Sequence, residues 1–272
     1  MNKKLIIIIV SVLLVLCGVL GYIKIIKPHN EAVKKYNSVV KVIKDKNKEL
    51  DKKIAALNNL IDSEDKVIDE EVITKAKEIS KKAVSNKLIV NKMPSKTADI
   101  IKETEKLSTP PDYTDIISEI DEAYTAYDIS IKQYKQLTNP SEEFILQRIL
   151  KIDEVKSARA VTEDHDPNGN LHKAGGYTAA IYFESKNVNQ KIFTKKNVID
   201  KGTDAGGQIE VYANEEDAIK RADYLSTFDG TVIDSGTHRV IGTVLIRTSS
   251  RLTASKQKAL ESKIIEELIR LE

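Results

Sequence analysis

"GYTAAIYFES", residues 176–185, is the stretch of this chain with the clearest strand periodicity. Tyr177, Ala179, Ile181 and Phe183 alternate with Thr178, Ala180 and Tyr182. Aromatic and β-branched residues in a two-residue period suit a pleated, buried surface. The chain before residue 139 reads as helix, so this stretch decides for α+β against all-α. Glycine marks the same change. Gly18 and Gly21 lie near the N-terminus, and the remaining glycines all fall from Gly169 onward. The four phenylalanines, Phe144, Phe183, Phe193 and Phe228, also lie in the later part. The glycine-free stretch between, rich in Lys, Glu, Ile and Ala, has the composition of successive helices.

Working outward through residues 139–272, "NPSEEFILQRILKI" (139–152) is a capped amphipathic helix, with Phe144, Ile145, Ile149, Leu150 and Ile152 as its apolar set. "SARAVT" (157–162) reads as a strand, and so does "GQIEVYA" (207–213). Asn214 caps a helix that buries Ala218, Ala222 and Leu225. "HRVIGTVLIRTSS" (238–250) reads as one long strand. The final helix, capped by Thr253, turns Leu260, Ile264, Ile265, Leu268 and Leu271 inward. The expected order is α-β-β-β-α-β-α, a small sheet with helices packed on one face.

Towards the N-terminus, residues 27–138 form an expected helical stalk or bundle. Val33, Tyr36, Val40, Ile43, Asn47, Leu50, Ile54, Leu57 and Ile61 are spaced alternately by three and four, a heptad seam with one polar, register-setting position at Asn47. The helix carrying it would reach roughly 48 Å at about 1.5 Å per residue. Asp62 and Ser63 offer caps for a second helix running to Asn86, with Ile68, Val72, Ala76, Ile79 and Ala83 on its apolar edge. A short helix is confined between Pro94 and Pro110–Pro111. Another spans 113–137 with Ile117, Ile120, Tyr124, Tyr127, Ile131 and Tyr134 on one face, and its tyrosines read as core rather than as a ligand face. The seam has two solutions: pairing with a second copy, giving a homodimer through 33–61, or folding back on the chain's own helices.

The N-terminus bears on location. "LIIIIVSVLLVLCGVLGYI" (5–23) carries no charge. It is roughly 28 Å long as a helix, against a hydrocarbon core of about 30 Å. A cleaved signal would be shorter and end in a small-x-small site, a lipoprotein signal would need a small residue where Leu16 precedes Cys17, and a core helix would need more chain around it. The expectation is a membrane anchor over 5–26 behind a cytoplasmic leader, 1–4, with the bulk of the chain extracytoplasmic. Lys3 and Lys4 precede the span and Lys24, Lys27, Lys34 and Lys35 follow it, so charge alone does not orient it. Long domains translocate largely regardless of charge. In that orientation the following lysines lie near lipid headgroups.

Composition narrows the partners. The chain has 272 residues, 31% charged with a formal net charge of +2, no Trp and a single Cys. A near-neutral balance argues against a nucleic-acid partner, and one cysteine excludes both an intrachain disulfide and a cysteine metal cluster.

The strings "AVTEDHDPNGNLHKAGGYTAAIYF" (160–183), "DAGGQIEVYANEEDAIKRADYL" (204–225) and "GTVLIRTSSRLTASKQKALE" (242–261) resemble a domain of exported, membrane-anchored or lipid-anchored proteins of Gram-positive bacteria. The pattern is T-E-D-x-D-P-N, G-x-Y-T, G-G-x-I-E-V, D-A-x-x-R-x-x-Y and a late V-L-x-R strand. The likeness covers about 142–268. It implies an exported location and a domain extent, and since that family has no established activity it implies no catalytic residues. The chain departs from lipid-anchored members in lacking a lipobox.

Within "TEDHDPNGNLHK" (162–173), Asp164, Asp166, Asn168 and Asn170 fall at alternate positions with Gly169 between, like the start of a calcium loop. Position 12 is Gly175, so the bidentate acid is missing unless Glu163 or Glu184 contributes. A polar turn built on Pro167-Asn168-Gly169 explains the same residues without an ion. His165 and His172 are weaker candidates for a transition metal. Ser235 with His238 suggests a nucleophile and base, against a plain hairpin turn. Arg247 and Arg251 suggest an anion contact, against ordinary surface ion pairs, and Gly206–Gly207 reads as a turn rather than a phosphate loop. No Walker loop, nucleophile elbow or H-E-x-x-H is present. Two functions stay open: a non-enzymatic surface module that presents a binding domain to an envelope or protein partner, and an enzyme acting on envelope polymers with its site in the 162–173 loop.

Overall fold

A computed structural model describes residues 3–231 and 236–272. The chain is α+β and divides into two compact units, one of residues 1–63 and 71–126, the other of 64–70 and 127–272.

The first unit is helical. Helix α1 (Lys3–Gly21), a π-helical turn (Tyr22–Ile26) and α2 (Lys27–Ile61) run on without a break. From Ile6 this helix is long and apolar enough to cross a membrane, and its N-terminal apolar side chains are exposed. The unit adds α3 (Glu71–Asn86), α4 (Thr97–Lys106) and the first part of α5 (Thr114–Gln136). Tyr36, Val40, Ile43, Leu50, Ile54 and Leu57 of the heptad seam are buried. Its upper part packs on Ile100 and Leu107, with Leu88 and Val90 beside them. Asn47 donates to the Leu88 carbonyl (2.9 Å) and accepts from Tyr113 Oη (2.7 Å), whose oxygen in turn accepts from the Leu88 N–H (2.8 Å). The polar seam position is therefore satisfied within the chain. Within one chain the seam is buried by folding back on the chain's own helices.

Two expectations in this half are corrected. Helix α3 begins at Glu71, and Ile68 belongs to a non-helical link in the other unit: its N–H bonds to Ser130 and its side chain packs on the sheet's core. On α5 the buried stripe is Ile116, Ile120, Ala123, Tyr127 and Ile131, whereas Tyr124 is exposed, so the tyrosines do not share one face.

The second unit holds α6 (Glu142–Ile149), β1 (Val155–Ala160), β2 (Tyr177–Ser185), α7 (Val198–Lys201), β3 (Gly206–Tyr212), α8 (Glu215–Ser226), β4 (His238–Ile241), β5 (Val244–Thr248) and α9 (Ala254–Ile269). The strands form an antiparallel sheet in the order β1-β2-β3-β5-β4. Residues 238–250 are thus not one strand. Ile241 pairs with Val244 across a turn at Gly242, whose φ of 58° lies where glycine has no steric cost. The helices do not all lie on one face either. Ala179, Ile181, Phe183, Ile209, Val211 and Ile246 form one core with residues of α6 and α9. Tyr177, Ala180, Tyr182, Tyr212 and Leu245 form the other, under Val198 and Ile199 of α7 and Ala218 and Leu225 of α8. A bulge between Tyr177 and Ala179 turns Tyr177 to this second face. Covered on both sides, the central strands are buried at every position but Thr178.

Candidate functional site

The 162–176 loop leaves the edge strand β1 and returns as β2. Its order comes from one side chain. Asp166 Oδ1 accepts from the Tyr177 hydroxyl and from the Asn168 N–H (3.1 Å), and Oδ2 accepts from the N–H groups of Asn170 (2.7 Å) and Leu171 (2.9 Å). Burial pushes the Asp166 carboxyl up, but these donors together outweigh it and hold it below its ordinary range. The Gly169 N–H closes the turn on the Asp166 carbonyl (3.0 Å). Gly176 completes it, because a Cβ there would strike the Asn170 carbonyl.

The loop thus has the hydrogen bonds of a polar turn. A cation on Asp166 would have to displace donors that already occupy both oxygens. Asp164 is exposed, and Asn168 gives its amide to Tyr182 Oη (3.3 Å). Among the described residues no group of three or more His, Cys, Asp or Glu side chains is placed to hold a metal ion. His165 pairs with Asp200 (2.7 Å) and His172 with Glu163 (2.9 Å), so the two histidines serve different partners. Glu184 is on β2 with Lys201 and Lys156, not with the loop. Ser235 lies outside the described residues, and His238 Nδ1 stands 3.7 Å from Asp229. Arg251 makes an exposed pair with Asp204 (2.8 Å).

Arg247 is the residue whose setting differs most from the surface contact considered above. It is buried on the second face of the sheet and donates to Gln208 Oε1 (2.8 Å) and Glu210 Oε1 (3.2 Å). The fully buried Glu210 also accepts from Tyr212 Oη (2.6 Å) and from Arg221 Nε (3.1 Å) on α8. Carboxylates in so dry a setting need partners of opposite charge, and Glu210 has two. Burial, with the Glu210 charge beside it, pushes the Tyr212 hydroxyl far up, and burial raises Tyr182 to about 12. Both tyrosines stay protonated; Tyr212 donates to Glu210, and Tyr182 accepts from Asn168. The Tyr177 and Tyr212 rings meet edge to face, linking the Asp166 turn to the Glu210 cluster.

Above this face, between the turn and α8, opens a cleft of about 600 Å³ lined by Asn168, Asn170, Asp217, Lys220, Arg221 and Tyr224. Helix α8 is fixed by Asn214, whose side chain accepts from the Asp217 N–H (2.9 Å). Lys220 pairs with Glu216 (2.8 Å) one turn back. Tyr224 is 55% exposed and lies against the Arg221 guanidinium, 5.5 Å from the ring centre. The sequence reading identified Asn168 and Asn170 but not Tyr212, Arg221 or Glu210, because "QIEVY" alternates as a half-solvated strand would. The available signal was Arg221, seven residues past the Asn214 cap and beside the apolar positions Ala218, Ala222 and Leu225. No protein-family model, curated protein or solved structure matches the chain.

Proposed function

We propose that this protein is a membrane-anchored, extracytoplasmic surface protein in which a helical spacer presents an α+β binding module. The observation that carries the reading is the cleft between the 166–176 turn and α8, set on a buried network in which each acid is already engaged. Asp166 serves its own backbone and Glu210 serves two guanidiniums. A general base must be free to take a proton near the working pH, and these carboxylates are committed to hydrogen bonds and ion pairs. The competing reading, an enzyme acting on envelope polymers from the 162–173 loop, would draw support from Glu163, Asp164, Asp166 and a histidine converging on one pocket. Glu163 instead pairs with the exposed His172, and Asp166 caps the turn.

The anchor rests on the uncharged 5–23 stretch, on the length and exposure of the apolar helix, and on the motif resemblance to exported Gram-positive domains. Protease treatment of intact, wall-stripped cells tests it. The reading expects loss of the chain beyond residue 27 and survival of a short membrane-bound remnant. Full protection until the membrane is permeabilised would reverse the orientation.

A further inference from the structure

We propose that the cleft between the 166–176 turn and α8 takes an uncharged, hydroxyl-rich ligand, a segment of a saccharide chain. The proposal rests on reading this cleft as the module's binding site and names what it binds.

Charge is the first argument. Around the cleft the charges balance as a set: Arg221 and, behind it, Arg247 share Glu210 (3.1 and 3.2 Å), while Lys220 pairs with Glu216 (2.8 Å) and has Asp217 at 3.8 Å, three cations against three carboxylates. Asp217 itself lines the opening. An anion would give up its hydration and meet no uncompensated positive charge in return. The second argument is the mixture of hydrogen-bonding groups. Glu210 engages Nε and Nη2 of Arg221, leaving the Nη1 edge for the cleft that this side chain lines. Asn168 uses its amide nitrogen on Tyr182 and keeps its oxygen, while Asn170 and Asp217 add further acceptors. Hydroxyl groups both donate and accept, so a polyol satisfies such a set where a carboxylate, an acceptor only, cannot.

The third argument is Tyr224. Its ring is largely exposed at the rim beside those polar groups, held by Arg221 on one side and by Phe228 edge-on at 5.1 Å. An amphipathic ring in that position offers an apolar face to the C–H side of a sugar and keeps its hydroxyl wet. The cleft's volume falls within the roughly 300–1,000 Å³ of small-ligand sites. Its walls are fixed in advance by the Asp166 turn and the Asn214 cap, which lowers the ordering cost of binding.

The test is calorimetric titration of the full chain in lipid nanodiscs, avoiding sugar-headed detergents. The probes are a β-1,4-linked N-acetylglucosamine tetramer, cellotetraose and maltotetraose, with inorganic phosphate as the anion arm. The proposal expects at least one oligosaccharide to bind with Kd on the order of 1 mM or tighter. Tyr224→Ala should weaken it roughly tenfold. Asp217→Asn gives the opposing signs: it removes a charged acceptor and weakens a saccharide, whereas it would tighten an anion. Phosphate binding that strengthens in Asp217→Asn overturns the saccharide and leaves a binding cleft standing. No heat from any of the three oligosaccharides overturns the proposal too, while the surface location is decided independently by protease treatment of cells.

Discussion

The two units handle charge in opposite ways. In the helical unit, Lys53–Asp121, Lys82–Glu119 and Lys87–Asp51 join helices through side chains left at least a third exposed. Beneath them lies an aliphatic seam interrupted by one satisfied asparagine. In the α+β unit, Glu210, Arg247 and most of Arg221 are withdrawn from water onto one face of the sheet. Surface pairs of the first kind add little to stability, and their loss is tolerated. A buried set of the second kind is costly to assemble and specifies one arrangement of strand, helix and turn. The cleft lies over the second kind.

Four substitutions sharpen or break this contrast, the largest first. Glu210→Ala leaves two guanidiniums facing an apolar interior and should cost the α+β unit about 3–5 kcal/mol in urea unfolding. A loss below about 1 kcal/mol would mean that the network is not dry. Leu50→Ala, at a fully buried seam position, should cost about 3 kcal/mol through the cavity it leaves. That loss should appear as faster amide exchange in 33–61 and not in the sheet. Asp166→Asn tests the turn by pH. The folded carboxyl is depressed, so its contribution is fully present above the unfolded value of about 3.9 and is lost as pH falls through the lower folded value. The wild-type α+β unit should therefore lose stability on acidification below about pH 4. In Asp166→Asn that part of the acid dependence should vanish, and the protein should be less stable at pH 7. Lys82→Ala, last, should change the melting behaviour by no more than about 0.5 kcal/mol.

What was legible in the sequence follows the same contrast. An aliphatic period of three and four fixes which side of α2 is buried, because a helix has one stripe to hide and Asn47 fits within it. The period does not say what the stripe packs against, and Ile68 shows the limit: its spacing matched α3, but its apolar side chain joined the sheet's core instead. For the sheet, alternation located β2 and β3 yet hid their environment. Gln208 and Glu210 alternate with Ile209 and Val211 as solvent-facing residues do, and only the covering by α8 makes them buried. Likewise the alternation of 238–250 passes straight through Gly242, where the chain reverses. The turn chemistry of Asp166, Asn168 and Gly169 was readable because it is local. The partnership of Arg221 and Arg247 with Glu210 was not, because it is fixed by strand register and helix packing.

The central claim is that the proposed saccharide recognition belongs to the α+β unit, at the cleft over its buried charges. Hydrogen–deuterium exchange of the full chain in nanodiscs, with and without each of the three tetrasaccharides at saturating concentration, tests this directly. The account predicts slower exchange in residues 166–176 and 215–224, with the helical unit unchanged. Protection confined to the helices, for example around the groove between Pro28, Ala32 and Ile101, or no protection anywhere, would contradict it.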